Sequence, residues 1–296
     1  MPGPMPGMTG WTVMAKSKQQ IPAKQTSLAA IPGTLVLVGA GKMGGALLEG
    51  WLARKLPPKQ LVVLEPQPSK AIKALAKRGV RVNPKTAIGP AAAVVIAVKP
   101  QIAPEALKSL PPLLGRKTVV VSIMAGRTLA FLEQALPDAA IVRAMPNTPA
   151  AIGRGITVAV GNRRAGAPAR KLAHALLAAT GAVAWVDDEA LMDAVTAVSG
   201  SGPAYVFLLA EALAQAGVAA GLPQPLAEQL ARATVAGSGE LLHRSTLDAT
   251  TLRTNVTSPG GTTAAALDIL TGHDGLAPLM TKAVAAATRR GRQLAG

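Results

Sequence analysis

Three glycines at the end of an apolar run have the spacing of a loop that binds dinucleotide phosphates. The run Leu35–Val38 leads into Gly39, Gly41 and Gly44, and apolar residues at helical spacing follow. The first glycine of such a loop permits the tight strand-to-helix turn, the second lets the backbone approach the pyrophosphate, and the third lets the helix pack on the strand. A chance glycine turn is the alternative in a chain with 30 glycines. The strand before and the helix after favour the binding site.

An acid beyond this loop bears on which cofactor is bound. Glu65 ends the predicted strand 61–65 and lies 21 residues beyond Gly44, close to the roughly 20 residues at which dinucleotide folds place the acid that binds the adenosine ribose. Its charge would repel the 2′-phosphate of NADPH, so Glu65 weakly favours NADH as the cofactor. Lys70 and Lys73 could instead serve a 2′-phosphate, and a plain surface glutamate is the other interpretation.

A segment rich in glycine and hydroxyl residues forms a second candidate site. Ser258–Thr263 stands directly before a predicted helix. Free amides at a helix start, with glycines that permit close approach, bind a carboxylate, and hydroxyl groups add donors and acceptors. Ordinary N-capping is the alternative, but a cap needs one hydroxyl and this segment supplies several.

Residues 34–187 alternate between strands and helices, which predicts an α/β domain of Rossmann type with a mainly parallel sheet. Ligands of such sheets bind at the carboxyl ends of the strands. Lys99 is therefore expected to line the cofactor site, although a solvated strand end would also account for it. The predicted strands are residues 35–38, 61–65, 80–82, 91–98, 119–123, 141–144, 155–160 and 182–186.

Residues 188–296 contain only helical patterns and predict a second, all-helical domain. Asp188 is a plausible N-cap and Pro203 suits a first helical turn. Several helix faces are apolar, and such faces usually bind a partner subunit, so we expect a homodimer built through this domain. The predicted helices are residues 189–198, 203–217, 225–242, 262–271 and 276–290.

The composition limits the other functional classes. The 296 residues are 49% hydrophobic, but no apolar run approaches the roughly 20 residues of a membrane span. The net charge of +16 would suit a nucleic-acid partner. However, only 2% of residues are aromatic and the basic residues are dispersed, which argues against such a partner. There is no cysteine and the three histidines lie far apart, so no metal site is expected. We expect a cytoplasmic protein without nucleic-acid or membrane partners.

Residues 1–33 are rich in proline, glycine and methionine, and they predict a disordered N-terminal extension. The stretch lacks the apolar core of a secretory signal. A transit peptide is the alternative, but it would be richer in arginine and serine. We assign this extension no function.

Five segments of the chain occur together in one known family of reductases. They are Val38–Gly44, Ala97–Pro100, Arg143–Pro149, Ser199–Tyr205 and Ser258–Thr263. With these segments in this order, the chain resembles the pyrroline-5-carboxylate reductase family over about residues 34–290. The last three segments are highly specific.

The resemblance implies a Rossmann domain followed by a helical domain that interlocks in a dimer, with dimers able to assemble further. It implies the last step of proline biosynthesis, in which the cyclic imine 1-pyrroline-5-carboxylate is reduced to L-proline with NADPH or NADH. Many family members lack an acid corresponding to Glu65, so the cofactor preference stays open. A pyrrolinium protonated on nitrogen is already electrophilic, so the protein mainly has to position the reactants.

The resemblance also implies roles for individual residues. Thr263 matches the threonine that reaches the imine nitrogen and is the expected catalytic residue, acting as a hydrogen-bond partner. The expected substrate-binding residues are Val256, Thr257, Ser258, Gly260, Gly261, Thr262 and Thr263. The expected cofactor-binding residues are Val38, Gly39, Ala40, Gly41, Lys42, Met43, Gly44, Ala97, Val98, Lys99, Pro100, Ala125 and Gly126, with Glu65 added from its spacing.

Other functions remain open from the residues alone. A β-hydroxyacid dehydrogenase shares the two-domain plan, but it would normally place a catalytic lysine in the helical domain, and the only lysine after Lys171 is Lys282 near the C-terminus. A non-catalytic redox sensor could use the same fold. A basic nucleic-acid-binding protein with a vestigial nucleotide site would show DNA affinity that falls steeply with salt.

Overall fold

The computed structural model describes residues 28–29 and 31–295 of the chain. One eight-stranded sheet has the order β3-β2-β1-β4-β5-β6-β7-β8, and its neighbouring strands are parallel except for the antiparallel pair β6 and β7. The strands are β1 Leu35–Val38, β2 Leu61–Leu64, β3 Arg81–Val82, β4 Ala93–Ile96, β5 Val119–Ser122, β6 Ala140–Met145, β7 Gly155–Gly161 and β8 Gly181–Trp185.

Helices cover both faces of the sheet, which is why its central strands are unbroken apolar runs. Every residue of β1, β4 and β5 is buried. Trp51 of the first helix is fully buried, and its Nε1 donates to the Leu176 carbonyl at 2.9 Å. The helices of this half are α1 Lys42–Ala53, α2 Lys70–Leu75, α3 Ala103–Lys108, α4 Leu129–Ala135 and α5 Ala167–Leu177.

The end of the predicted N-terminal extension is part of the core. Leu28 and Ile31 are 1% and 7% exposed and pack with the residues beneath the sheet. The Leu28 amide also donates to the Arg54 carbonyl at 2.9 Å. The prediction of an unpacked extension through residue 33 is therefore wrong at this end, because two apolar side chains anchor it. Residues 1–27 and 30, on which the rest of that prediction falls, lie outside the described residues.

From Glu189 onward the described chain is helical. A short 3-10 turn, Glu189–Leu191, is capped by Asp188, whose side chain accepts from the Ala190 amide. A π-helical turn, Thr196–Gly200, then joins α6 to α7. The helices are α6 Met192–Val195, α7 Gly202–Ala219, α8 Gln224–Arg244, α9 Ala249–Asn255, α10 Thr262–Leu270 and α11 Leu276–Ala295. The boundary near residue 187 stays a prediction.

These helices bury little of themselves within one chain. α7 packs on α8, and α11 packs on α6, but neither α9 nor α10 packs extensively on any element. In α7 to α10 only Ala227 and Ala231 are buried. Large apolar side chains such as Phe207 and Ile269 are 63% and 78% exposed. An apolar surface of this extent indicates an interface with another protein chain.

One helical stretch within the described residues, Glu189–Ala219, is long and apolar enough to cross a membrane by length and composition alone. Serine and glycine residues at positions 199–202 interrupt it, so it does not stand out in the sequence as an unbroken apolar run.

An ion pair joins the two halves at their junction. Arg143 of β6 is buried, and its Nη1 lies 2.7 Å from Glu189 Oε1. The same oxygen accepts the Leu129 amide at the start of α4, also at 2.7 Å. The start of the helical half is thereby fixed to two elements of the Rossmann half.

A second, more exposed contact lies farther along the chain. Arg154, just before β7, bonds Glu240 of α8 at 3.1 Å. Hydrogen bonds from Arg244 and Arg154 lower the pKa of the Glu240 carboxyl from its usual value. The Rossmann half thus also holds the far end of α8.

Glu189→Ala is expected to lower the free energy of unfolding by about 3 kcal/mol, the lower end for removing one partner of a buried ion pair. The charge of Arg143 would be left buried and the Leu129 amide would lose its acceptor. Urea unfolding followed by circular dichroism measures the change.

Asp187→Asn is the matched control for this variant. It removes the exposed pair with Arg170, 3.4 Å long, and is expected to cost less than about 1 kcal/mol. Equal destabilisation by the two substitutions would contradict a special role for the Arg143–Glu189 pair.

Candidate active site

The glycine loop after β1 has the geometry that its spacing predicts. Gly39 has φ +90°, and a Cβ there would lie 2.8 Å from the Ala97 carbonyl oxygen. A Cβ on Gly44 would collide with the Gly39 carbonyl oxygen. Gly41 differs, because a Cβ there would meet no protein atom within 4 Å. Two glycines therefore serve the fold, and Gly41 faces open space.

The start of α1 is free to bind an anion. Gly41 is its N-cap residue, and no side chain caps it. The first amides of the helix consequently lack side-chain acceptors, and the positive end of the helix dipole points into the open space beside Gly41. These features fit the pyrophosphate of a dinucleotide.

Glu65 lies directly against this loop. Its Oε2 accepts the Ala40 amide at 2.8 Å, and its Oε1 accepts the Gln67 amide at 3.0 Å. Asn83, at φ +44°, holds the Glu65 backbone by donating to its carbonyl at 2.7 Å and accepting from its amide at 2.9 Å. The carboxylate is therefore fixed beside the glycine loop, and the interpretation of Glu65 as a plain surface residue does not account for this geometry.

The loops after β4 and β5 lie at the same edge of the sheet, since these strands are parallel neighbours. Lys99 is exposed beyond the end of β4. Gly126, after β5, has φ +69°, and a Cβ there would lie 3.3 Å from the Leu294 carbonyl oxygen near the end of α11. The segments Ala97–Pro100 and Ala125–Gly126 thus lie where a dinucleotide binds in this fold, with α11 close by.

The second candidate site is built around the start of α10. Gly261 is the N-cap residue and no side chain caps the helix. Within the described chain, the hydroxyls of Ser258, Thr262 and Thr263 make no hydrogen bond to the protein, so ordinary capping does not explain them. Thr263 is half-buried and Gly260 has φ +69°. The Gly261 amide donates to the Ser258 carbonyl at 3.0 Å, whereas the amides of Thr262 and Thr263 in the first turn of α10 and the three hydroxyls are available for a ligand.

Two other segments with family resemblance meet each other. A Cβ on Gly200 would lie 2.5 Å from Met145 Cε, so glycine there allows the helical half to approach the loop that follows β6. Beside this contact lies an apolar groove of about 920 Å³. Its lining includes Asn147, Pro149, Val198, Ser199, Pro203 and Phe207. Residues of both halves line this groove, and they include exposed side chains of α7 such as Phe207.

The structure does not bring the two candidate sites together within one chain. α10 makes no extensive contact with the Rossmann half.

The sequence did not predict the roles of Asn83, Arg127 and Glu189, which hold the loops and the junction. Asn83 carried a weak signal, since asparagine tolerates positive φ better than most residues. The partners of Arg127 and Glu189 are distant in sequence and gave none.

Comparison with known proteins agrees with the division of the chain into a Rossmann half and a helical half. Residues 189–294 match the family described as pyrroline-5-carboxylate reductase dimerisation. Residues 34–126 match the family described as NADP oxidoreductase, coenzyme F420-dependent. The first match contains the exposed apolar helices, and the second contains the glycine loop, Glu65 and the loops after β4 and β5. The predicted fold class, a Rossmann-type domain followed by a helical dimerisation domain, is confirmed.

Individual relatives match nearly their whole length. Pyrroline-5-carboxylate reductase from Synechocystis is 41% identical over 263 residues, which are 88% of this chain and 97% of that protein. The Pseudomonas aeruginosa enzyme is 37% identical over 264 residues, covering 88% and 96%.

Solved structures agree. That of a pyrroline-5-carboxylate reductase from Coxiella burnetii has 34% identity and a TM-score of 0.83, covering 89% of this chain and 99% of that one. The Plasmodium falciparum enzyme, solved with NADP bound, has 29% identity and a TM-score of 0.74, covering 90% and 99%. This chain belongs to the pyrroline-5-carboxylate reductase family.

Proposed function

We infer that this protein reduces 1-pyrroline-5-carboxylate to L-proline with a nicotinamide cofactor as hydride donor. One observation carries this inference: the chain contains a site that suits each reactant. The open, uncapped glycine loop suits the cofactor pyrophosphate, and the start of α10, with its free hydroxyls, suits the substrate carboxylate. A purified enzyme is expected to consume NADH or NADPH when the substrate is added. A folded protein inert with both cofactors would contradict the inference.

The cofactor would be held along the carboxyl edge of the sheet. The amides at the start of α1 suit the pyrophosphate, and the segments Ala97–Pro100 and Ala125–Gly126 suit the nicotinamide end. The bound dihydronicotinamide supplies the hydride that reduces the C=N bond. No acid or base among these residues is needed, because the protonated imine is already electrophilic.

Residues of the segment before α10 would hold the substrate. The amides after Gly261, together with Ser258 and Thr262, suit the carboxylate, while Val256 and Thr257 would line the ring. Thr263 would accept a hydrogen bond from the ring N–H and so fix the face that C5 presents. As hydride reaches C5, the C=N π electrons become the lone pair of the amine nitrogen.

We propose that each active site combines two subunits. α10, which follows this segment, makes no extensive contact with the Rossmann half of its own chain, and the helices around it expose their apolar faces. In a dimer that covers these faces, the segment of one subunit would lie over the cofactor loops of its partner. We also propose that the dimers can assemble further. The protein is proposed to be cytoplasmic and to bind neither nucleic acid nor a membrane.

We further propose that the cofactor is NADH in preference to NADPH. The support is the Glu65 carboxylate, fixed 2.8 Å from the Ala40 amide, at the position where an acid meets the adenosine ribose. A 2′-phosphate there would place like charges together. The exposed Lys70 and Lys73 are the features that favour NADPH.

Thr263→Val is expected to lower kcat about tenfold, which corresponds to losing a hydrogen bond to a charged group worth roughly 1.5 kcal/mol. The Kd for the cofactor should stay nearly unchanged. Steady-state kinetics and a fluorescence titration with NADH measure the two quantities. Thr263→Ser keeps a hydroxyl and should recover most of the activity, whereas unchanged turnover in the valine variant would remove Thr263 from the mechanism.

Glu65→Gln is expected to raise kcat/KM for NADPH relative to NADH by about fivefold or more, since like charges about 4 Å apart repel by at least about 1 kcal/mol. Glutamine can still accept the Ala40 amide, so the loop should keep its shape. Glu49→Gln, two turns along α1 and exposed, is the control and should leave the ratio unchanged. A wild-type preference for NADPH would overturn the assignment of Glu65.

Gly41→Ala and Gly39→Ala are expected to separate binding from folding. Gly41→Ala should keep the wild-type Tm but weaken NADH binding about tenfold, or 1.4 kcal/mol, because its methyl group enters the space proposed for the pyrophosphate. Gly39→Ala should instead lower the Tm, since its methyl group meets the Ala97 carbonyl oxygen. Normal NADH binding by Gly41→Ala would place the pyrophosphate elsewhere.

A further inference from the structure

Arg127 joins the two loops that are proposed to hold the nicotinamide end of the cofactor. It follows Gly126 directly, in the loop after β5. Its Nη2 and Nε both donate to the Pro100 carbonyl, in the turn after β4, at 2.9 Å and 3.2 Å. One side chain thereby spans two segments that are 27 residues apart.

No other hydrogen bond within the described chain ties these loops together. The ladder between β4 and β5 ends where the Ile123 amide donates to the Ile96 carbonyl at 3.0 Å. Beyond that point the backbones of the two loops are not bonded to each other. Met124 and Val98 of the two loops pack in one apolar cluster, and Arg127 supplies the hydrogen bonds that join the loops beyond the ladder.

The guanidinium group is itself held in place. The Phe131 ring lies 4.6 Å from Arg127 Cζ, measured to the ring centroid, which is a cation–π contact. Phe131 is in the first turn of α4, where Thr128 Oγ1 accepts the Phe131 amide at 3.2 Å. The planar fork of the guanidinium is thus oriented before any ligand binds, which a lysine side chain would not provide.

We propose that Arg127 is a positioning residue that sets the distance between the Ala97–Pro100 and Ala125–Gly126 loops and thereby the placement of the nicotinamide ring. The proposal rests on the proposed cofactor site. Hydride transfer depends steeply on placement, since a misplacement of about 1 Å can cost two orders of magnitude in rate. The adenine half of the cofactor would be held at β1 and β2, away from Arg127, and should not be affected by a change at this residue.

Because Arg127 should affect the nicotinamide end of the cofactor and not the adenine end, its role can be tested by binding alone, without turnover. NAD+ carries the nicotinamide ring, and ADP-ribose is the same molecule without it. In Arg127→Met, the Kd for NAD+ is expected to rise about fivefold or more while the Kd for ADP-ribose stays at the wild-type value, since only the nicotinamide end loses its support. Isothermal titration calorimetry measures both. Arg127→Lys, which restores one donor, should recover part of the loss.

The kinetic counterpart is a fall in kcat of about tenfold with little change in KM for pyrroline-5-carboxylate. Arg163→Met, on an exposed turn after β7, removes the same charge elsewhere and should behave like the wild type. Equal weakening of NAD+ and ADP-ribose binding in Arg127→Met would mean a general loosening and would overturn the proposal. So would wild-type affinities together with wild-type kcat.

Failure of the proposed function would look different. A wild-type protein that binds NAD+ but does not reduce the substrate would contradict the reductase function, while the two affinities would still decide the role of Arg127. A wild-type protein that binds neither nucleotide would overturn both proposals.

Discussion

The helical half of this chain leaves most of its large apolar side chains uncovered, and this constraint decides how the protein assembles. α7 and α8 cover part of each other, but Phe207, Ile269 and many other large side chains remain open to water. Burial of apolar area is the main favourable term in association. A second copy of the chain would cover this apolar surface, in agreement with the dimerisation family that the helical half matches. The segment before α10 is carried on the same unpaired helices, so the constraint extends to the substrate site.

The Rossmann half has the opposite character, since its sheet is complete within one chain. Helices cover both faces, and the loops at the carboxyl edge are held by specific bonds: Glu65 to Ala40, Asn83 to Glu65 and Arg127 to Pro100. A reaction that uses a preformed cationic imine and a cofactor hydride needs placement more than it needs acids or bases. The proposed arrangement, with fixed loops on one subunit and an open helix start on the other, suits that requirement.

The sequence was sufficient for the features that depend on local pattern. The strands β1, β4 and β5 are unbroken apolar runs, and the glycine spacing predicts a turn whose conformation follows from φ at Gly39 and the close approach at Gly44. The short helices α3 and α4 were not predicted, because six or seven residues carry too little periodicity. α9, another seven-residue helix, was missed for the same reason.

Features that depend on distant partners could not be predicted. Leu28 and Ile31 stand in a stretch whose prolines and glycines suggest disorder, and only their packing on the core reveals their role. Arg127 and Glu189 bond residues 27 to 60 positions away, so nothing local marks them. The proposed substrate segment was predicted from its glycines and hydroxyls, whereas the lack of extensive contact between α10 and the Rossmann half of the same chain is a property of the fold alone.

In the proposed dimer, the cofactor loops of one subunit work with the substrate segment of its partner. Co-expression of two impaired chains with different affinity tags, one carrying Gly41→Trp and the other Thr263→Val, followed by an assay of the purified heterodimer, tests this arrangement. Shared sites predict that activity returns, since one of the two sites then pairs an intact cofactor loop with an intact Thr263. If each site lay within one chain, both sites of the heterodimer would carry a defect, and no recovery above the two parent dimers would contradict the account.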